Sequence, residues 1–323
     1  MRPGIGLLLS ALCALCAVWV SGCERGDGMD ERIPAQPGGR LEVDLDLGDG
    51  LRPDPGSLEV VSHDSNEVRI VAEATGWGAS GVRFRVDAKG STVSVQGRVE
   101  GAFSWMFGGP QIRLRVRVPR EFDLDLRCTA GPIRIEDVNG AVRARTGDAA
   151  IDLVGAQGRL KLRTANGPIR VSEVQGDVEA RAFHGDIDVR WVEGDVQART
   201  GGGSIVLAHV DGQVEARTDR GEIEAEQMRG RLVAKTERGG VFVSFAEAPE
   251  GDLETSRGSL QVVIPAGTGA DLEAVSRRGT VELGPGLTVS GSQDDNQVAG
   301  PLNGGGAPLR LYTARGVVHL SRR

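Results

Sequence analysis

Lysine is nearly missing from this 323-residue chain, standing only at Lys89, Lys161 and Lys235, while arginine is abundant. Such an imbalance fits a GC-rich genome better than a function. Aromatic residues make up 4% of the chain, too few for a large conventional core. Three of the four cysteines (Cys13, Cys16 and Cys23) fall at the start and leave Cys128 alone in the remainder. One thiol excludes a disulfide framework and a cysteine metal site within a processed chain. His63, His184, His209 and His319 sit in unrelated contexts, with no Ser/His/Asp spacing, no paired metal ligands and no phosphate loop beside them. These absences point away from an enzyme, a cofactor and a bound metal. The formal net charge of −7 is mild, so the whole molecule is no nucleic-acid binder by charge.

Long apolar runs are scarce as well. One extends from Ile5 to Val20 behind Met1-Arg2-Pro3-Gly4 and ends in Val20-Ser21-Gly22-Cys23. It is short for a membrane span and has the form of a secretory signal. Val-Ser-Gly-Cys resembles the lipobox of bacterial lipoproteins. The resemblance implies cleavage after residue 22 and acylation of Cys23, and several acyl chains on one residue give stable anchoring. Glu24, in place of the aspartate that favours inner-membrane retention, tilts the expected address to the outer membrane of a Gram-negative cell. Residues 23–40 are rich in glycine, proline and charge, and read as a lipidated flexible tether.

What the chain has in excess is glycine, and in order. From Gly131 a glycine falls every nine residues through Gly140, Gly158, Gly167, Gly176, Gly185, Gly194, Gly203, Gly212, Gly221, Gly230 and Gly239, interrupted only by Ala149. Corner glycines of a wound chain reach backbone angles closed to other residues. Two kinds of unit alternate. G-P-I-R-I-E-D-V-N from Gly131 and G-D-I-D-V-R-W-V-E from Gly185 are of one kind, G-A-V-R-A-R-T-G-D from Gly140 and G-D-V-Q-A-R-T-G-G from Gly194 of the other. The true period is therefore 18 residues. Apolar residues alternate within each unit, which is the strand period. The expected inward residues are Ile133, Ile135 and Val138 in the first kind and Val142 and Ala144 in the second, often followed by a threonine such as Thr146. Cys128 takes an inward place too.

The pattern predicts an all-β, single-chain parallel β-solenoid with 18-residue coils of two short strands, a flattened cross-section and irregular capping ends. Hexapeptide prisms need an inward aliphatic every six residues, and calcium rolls need G-G-x-G-x-D-x-U-x units; neither occurs here. Pectin-lyase-like helices have longer coils and a catalytic cluster. The expected divisions are irregular coils and a cap over 41–121, the regular solenoid over 122–247, and irregular coils with a second cap over 248–323.

The repeated G-x-I-x-V and V-x-A-x-T-x-x-G units, the preceding Val116-Arg117-Val118-Pro119 and the closing L-Y-T-A-R-G-V-V-H-L resemble the bacterial "putative adhesin" β-solenoid domain of unknown function, roughly from Leu41 to Leu320. The resemblance implies a non-enzymatic binding or scaffolding role at the cell envelope. Association of some relatives with envelope stress implies the alternative, a sensor or regulatory lipoprotein touching lipids or another envelope protein. No catalytic residue carries over.

Two surface features stand out. Arg127, Arg145, Arg163, Arg181, Arg199, Arg217 and Lys235 are spaced 18 apart and should stack on one outward face, with Arg143 and Lys161 beside them. Arg143, Arg145, Lys161 and Arg163 form its densest part. The column reads either as a solvated face whose stems cover the sheet or as a docking strip for a linear polyanion such as acidic polysaccharide, lipopolysaccharide or extracellular DNA. The opposite outward column, Arg134, Asp152, Arg170 and Asp188, alternates in sign. The second feature is the apolar stretch Phe103, Trp105, Met106 and Phe107 between glycines. It reads as a loop that folds over the core end or touches a membrane or partner.

Overall fold

The computed structural model describes residues 28–46, 56–76, 79–99 and 110–323. The signal segment, Cys23 and the Phe103–Phe107 loop lie outside them. Alternating apolar residues give the described chain 29 strands, β1 to β29, in two sheets of 14 and 15 strands.

The regular part is a parallel β-solenoid. β8 (Phe122–Cys128) and β9 (Ile133–Asn139) make its first coil, and β10 (Val142–Thr146) and β11 (Ile151–Gln157) the next. The alternation continues to β20 (Leu232–Arg238) and β21 (Val241–Phe245). From β8 to β21 even-numbered strands pair in one sheet and odd-numbered strands in the other. The register is one coil per 18 residues, so Val142 sits on Leu124 and Ile151 on Ile133. The core between the sheets is a stack of like on like. Ile133, Ile135, Val138, Val142 and Ala144 are all fully buried, and burying such side chains removes about 1.5–3 kcal/mol each of exposure cost for the larger ones.

The corners explain the glycines, and only half of them by backbone angle. Gly176 has φ +141°, and a Cβ there would also lie 2.2 Å from the carbonyl oxygen of Gly158. At the other corner Gly185 has no left-handed φ. It is held to glycine by contact: a Cβ would stand 1.8 Å from the carbonyl oxygen of Gly167, one coil below. The recurring threonine closes the same corner. Thr200 is buried; its hydroxyl donates to the Gly185 carbonyl at 2.8 Å and accepts from the Gly203 N–H at 3.2 Å. Thr146, Thr218 and Thr236 donate in the same way to Gly131, Gly203 and Gly221.

At both ends the coils stack out of chain order. β2 (Gly39–Asp46) and β3 (Gly56–His63) lie directly on β8 and β9. β4 (Glu67–Gly76) and β5 (Val82–Lys89) run antiparallel as the outer layer. The chain then returns, and β6 (Thr92–Val99) and β7 (Pro110–Pro119) slide in between. The C-terminal end repeats the device. β22 (Gly251–Arg257) and β23 (Leu260–Ile264) continue the stack, and β24 (Ala270–Ser276) and β25 (Val281–Leu283) stand off from it. β28 (Pro308–Thr313) and β29 (Val318–Arg322) fill the gap. The hairpin of β26 (Ser292–Asp294) and β27 (Gln297–Leu302) pairs antiparallel along β24. Antiparallel strands close three of the four sheet ends, at β1, β5 and β26, and the fourth ends on the three-residue parallel strand β25; antiparallel or very short edges hinder the addition of further parallel coils.

The tether expected over 23–40 is corrected only from residue 28 onward, where the described residues begin. Residues Gly28–Pro34 form β1, antiparallel to β4, because Met29 and Ile33 alternate inward and are buried against the cap.

Gly185→Ala is expected to destabilise the fold by about 1–3 kcal/mol, the cost of an overpacked site. Gly202→Ala meets only His184, a ring carbon at 3.2 Å and the Cα at an ordinary 3.8 Å, and should cost far less. Urea unfolding of the two variants checks the contrast.

Candidate binding surfaces

The register stacks Arg127, Arg145, Arg163, Arg181, Arg199, Arg217 and Lys235 in one outward column of the even-numbered sheet. Asp125, Arg143, Lys161, Glu179, Gln197, Glu215 and Val233 form the adjoining column. Adjacent strands lie about 4.8 Å apart, so neighbouring cations repel by just under about 1 kcal/mol in water. The acids of the second column offset much of this. Glu179 lies 3.0 Å from Lys161, 3.1 Å from Arg163 and 3.0 Å from Arg181. Glu215 binds Arg199 at 3.0 Å and Arg217 at 2.7 Å. Lys235 reaches Glu254 at 2.8 Å, and Arg127 turns to Asp125 at 3.6 Å.

The register sets Arg143 beside Lys161 and Arg145 beside Arg163, and within this group Lys161 and Arg163 lean onto Glu179 in the next coil. Arg143 and Arg145 are exposed and meet no acid among the described residues. Across these fourteen positions nine cations face three acids, an excess of six positive charges, and the two columns run on into Glu42 and Asp44 at one end and Asp252 and Glu254 at the other. The strip ends in a hollow of about 600 Å3 lined by Arg217, Arg231, Lys235, Arg310 and Tyr312, with Asp252 and Glu254.

Burial works to raise the pKa of Glu179, but hydrogen bonds from Lys161 and Arg163 and the charge of Arg181 prevail and hold the carboxyl below its ordinary range. A lowered folded-state pKa adds stability above the unfolded pKa, and that stability is lost as pH falls through the folded value. Cys128 is the opposite case. Burial pushes its thiol up to about 12, which leaves it protonated and inert at neutral pH.

A second surface was hidden in the sequence. In each unit of the first kind the inward positions are spaced two and then three apart, as in Ile133, Ile135 and Val138. The extra outward residue is a bulge in the left-handed conformation. Asp137, Glu173, Trp191, His209 and Gln227 have φ between +56° and +60°, with Gly155 in the same column. Left-handed backbone costs a side-chain-bearing residue about 1–2 kcal/mol, and glycine almost nothing. Five of six coils nevertheless keep a side chain there. The bulges stack into a groove of about 600 Å3 over six coils, whose other wall is the column Asn139, Gln157, Gln175, Glu193, Asp211 and Arg229. Trp191 stacks on His209 with centroids 3.8 Å apart and planes 17° from parallel, and remains 57% exposed. Uneven inward spacing was the one sign of this groove in the sequence.

No group of three or more His, Cys, Asp or Glu among the described residues could hold a metal ion, and no helix among them is long and apolar enough to cross a membrane. No family model matches the chain, and no curated protein matches it. Among solved structures, a "putative cell adhesion protein" from Clostridium sporogenes aligns over 92% of this chain and 100% of its own, at 10% identity and a TM-score of 0.21. A "putative adhesin" from Bacteroides fragilis aligns over 92% and 97%, at 11% identity and a TM-score of 0.34. A "putative lipid binding protein" from Parabacteroides distasonis does so over 92% and 97%, at 7% and 0.34. Overlays this loose extend no ligand or activity to this chain.

Glu179→Gln should lower stability by about 1 kcal/mol at neutral pH, the scale of a networked surface ion pair. The difference from the parent should fade as acid protonates Glu179, which urea titrations across the carboxylate range would follow. In a chain whose other three cysteines are replaced by serine, Cys128 should stay silent to a thiol reagent until denaturant is added.

Proposed function

We propose that the protein is a non-enzymatic binding protein of the cell envelope, anchored by acylated Cys23 to the outer membrane of a Gram-negative cell. Its basic strip receives an extended acidic polymer, an acidic polysaccharide or the phosphates of lipopolysaccharide. The observation that carries this reading is the excess of six positive charges across those fourteen positions, repeated at the coil spacing. A linear polyanion can meet such a strip in register, and guanidinium groups pair well with carboxylates and phosphates. Arg143 and Arg145, with no acid of their own, are the strongest contact points. Glu179 and Glu215 compete with any incoming anion and soften the strip.

Opposite substitutions test this on a heparin column. Arg143→Gln with Arg145→Gln should elute at lower salt than the parent, while Glu179→Gln, which frees three cations, should elute at higher salt. Identical elution of all three chains would refute the strip. For the anchor, palmitate label should enter the parent and not Cys23→Ala.

A further inference from the structure

We infer that the bulge groove on the far side of the solenoid from the basic strip is a second binding site, and that it takes an uncharged, extended glycan chain, with Trp191 as the stacking platform. Three observations converge on this class of ligand. The groove keeps side chains at a backbone position where glycine would be relaxed, in five of its six coils, so those side chains serve something other than the fold. Its one large apolar surface is the exposed indole of Trp191, braced flat against His209. His209 covers one face of the indole, so the surface left exposed is its other face and its edge, and an aromatic surface of this kind suits the C–H face of a sugar ring, which is apolar over the ring and polar at its rim. The wall beside it offers Gln157 and Gln175, whose amides both donate and accept, and Glu193, which only accepts. Hydroxyl groups satisfy all three.

Charge and topology exclude the other polymers. Asp137, Glu173, Glu193 and Asp211 outnumber Arg120 and Arg229. Both cations are already paired, Arg120 with Asp64 and Arg229 with Asp211 and Glu247. An acidic polysaccharide or nucleic acid is therefore repelled. A peptide strand finds no edge to extend, since the strands beneath the groove are paired on both sides. The lining repeats with every coil, about 4.8 Å, close to the advance of one pyranose unit along an extended glycan. The groove can thus hold one sugar per coil.

Affinity electrophoresis of the purified chain through gels containing dextran, mannan, mixed-linkage β-glucan or xyloglucan tests the inference. At least one of the four should retard the chain. Trp191→Gly should bind that polymer about tenfold more weakly, as expected for loss of a central aromatic anchor, with its melting transition still cooperative because glycine relieves the left-handed φ. Glu193→Ala should weaken retardation as well, and Arg143→Gln with Arg145→Gln should leave it unchanged, which separates this site from the basic strip. Retardation by none of the four polymers overturns the inference. So does a Trp191→Gly chain retarded as strongly as the parent.

Discussion

The structure depends on one contact, the seating of a corner glycine on the carbonyl oxygen of the corner one coil below. At Gly185 the clearance is too small for any side chain, and the buried hydroxyl of Thr200 is bonded to that glycine's own carbonyl from the coil above. These contacts fix where each coil sits on the last. Once corners are stacked without slippage, every other position of the 18-residue coil is stacked too. Two unlike sheets then face each other across a thin core of repeated Ile, Val, Leu and Ala.

Stacking like on like has a cost that shapes the surface. A cation repeated in every coil is set beside its own copies, and the chain relieves the repulsion with acids one column away, as Glu179 does for Lys161, Arg163 and Arg181. A bulge repeated in six successive coils places a left-handed φ in each of them, relieved by glycine only at Gly155. The two surfaces are therefore the products of one constraint. One is a flat, basic face on the regular sheet. The other is a groove where the opposite sheet kinks, mostly polar and acidic, with a single aromatic stack at its centre.

Much of this was legible in the residues. The alternation of Ile133, Ile135, Val142 and Ala144 gave their inward direction, and the two kinds of unit gave the coil and its two sheets. The glycine spacing marked the corners, but sequence alone assigns all of them to backbone freedom, whereas Gly185 is required by a neighbour 18 residues away. The basic column was legible as a column. That Lys161 and Arg163 turn to Glu179 while Arg143 and Arg145 do not depends on how far side chains reach between coils, which spacing does not carry. The groove left a trace in the spacing of Ile133, Ile135 and Val138, but its depth arises only when six bulges are stacked. The order of the end coils left no trace, because it is decided by which edge a returning strand meets. For the same reason Met29 and Ile33, isolated among glycine, proline and charge, could not announce that β1 closes a cap.

The central claim is that the folding unit is an 18-residue coil with two unlike halves, locked at its corners. Deleting residues 213–230 removes one whole coil and joins Gly212 to Arg231-Leu232-Val233-Ala234-Lys235-Thr236, a segment with the same pattern as the one lost. Deleting 213–221 removes half a coil and puts the strand of one sheet into the place of the other. Equilibrium unfolding followed by circular dichroism should give a single cooperative transition for the first chain and none for the second. A half-coil deletion that unfolds as cooperatively as the parent would contradict the account.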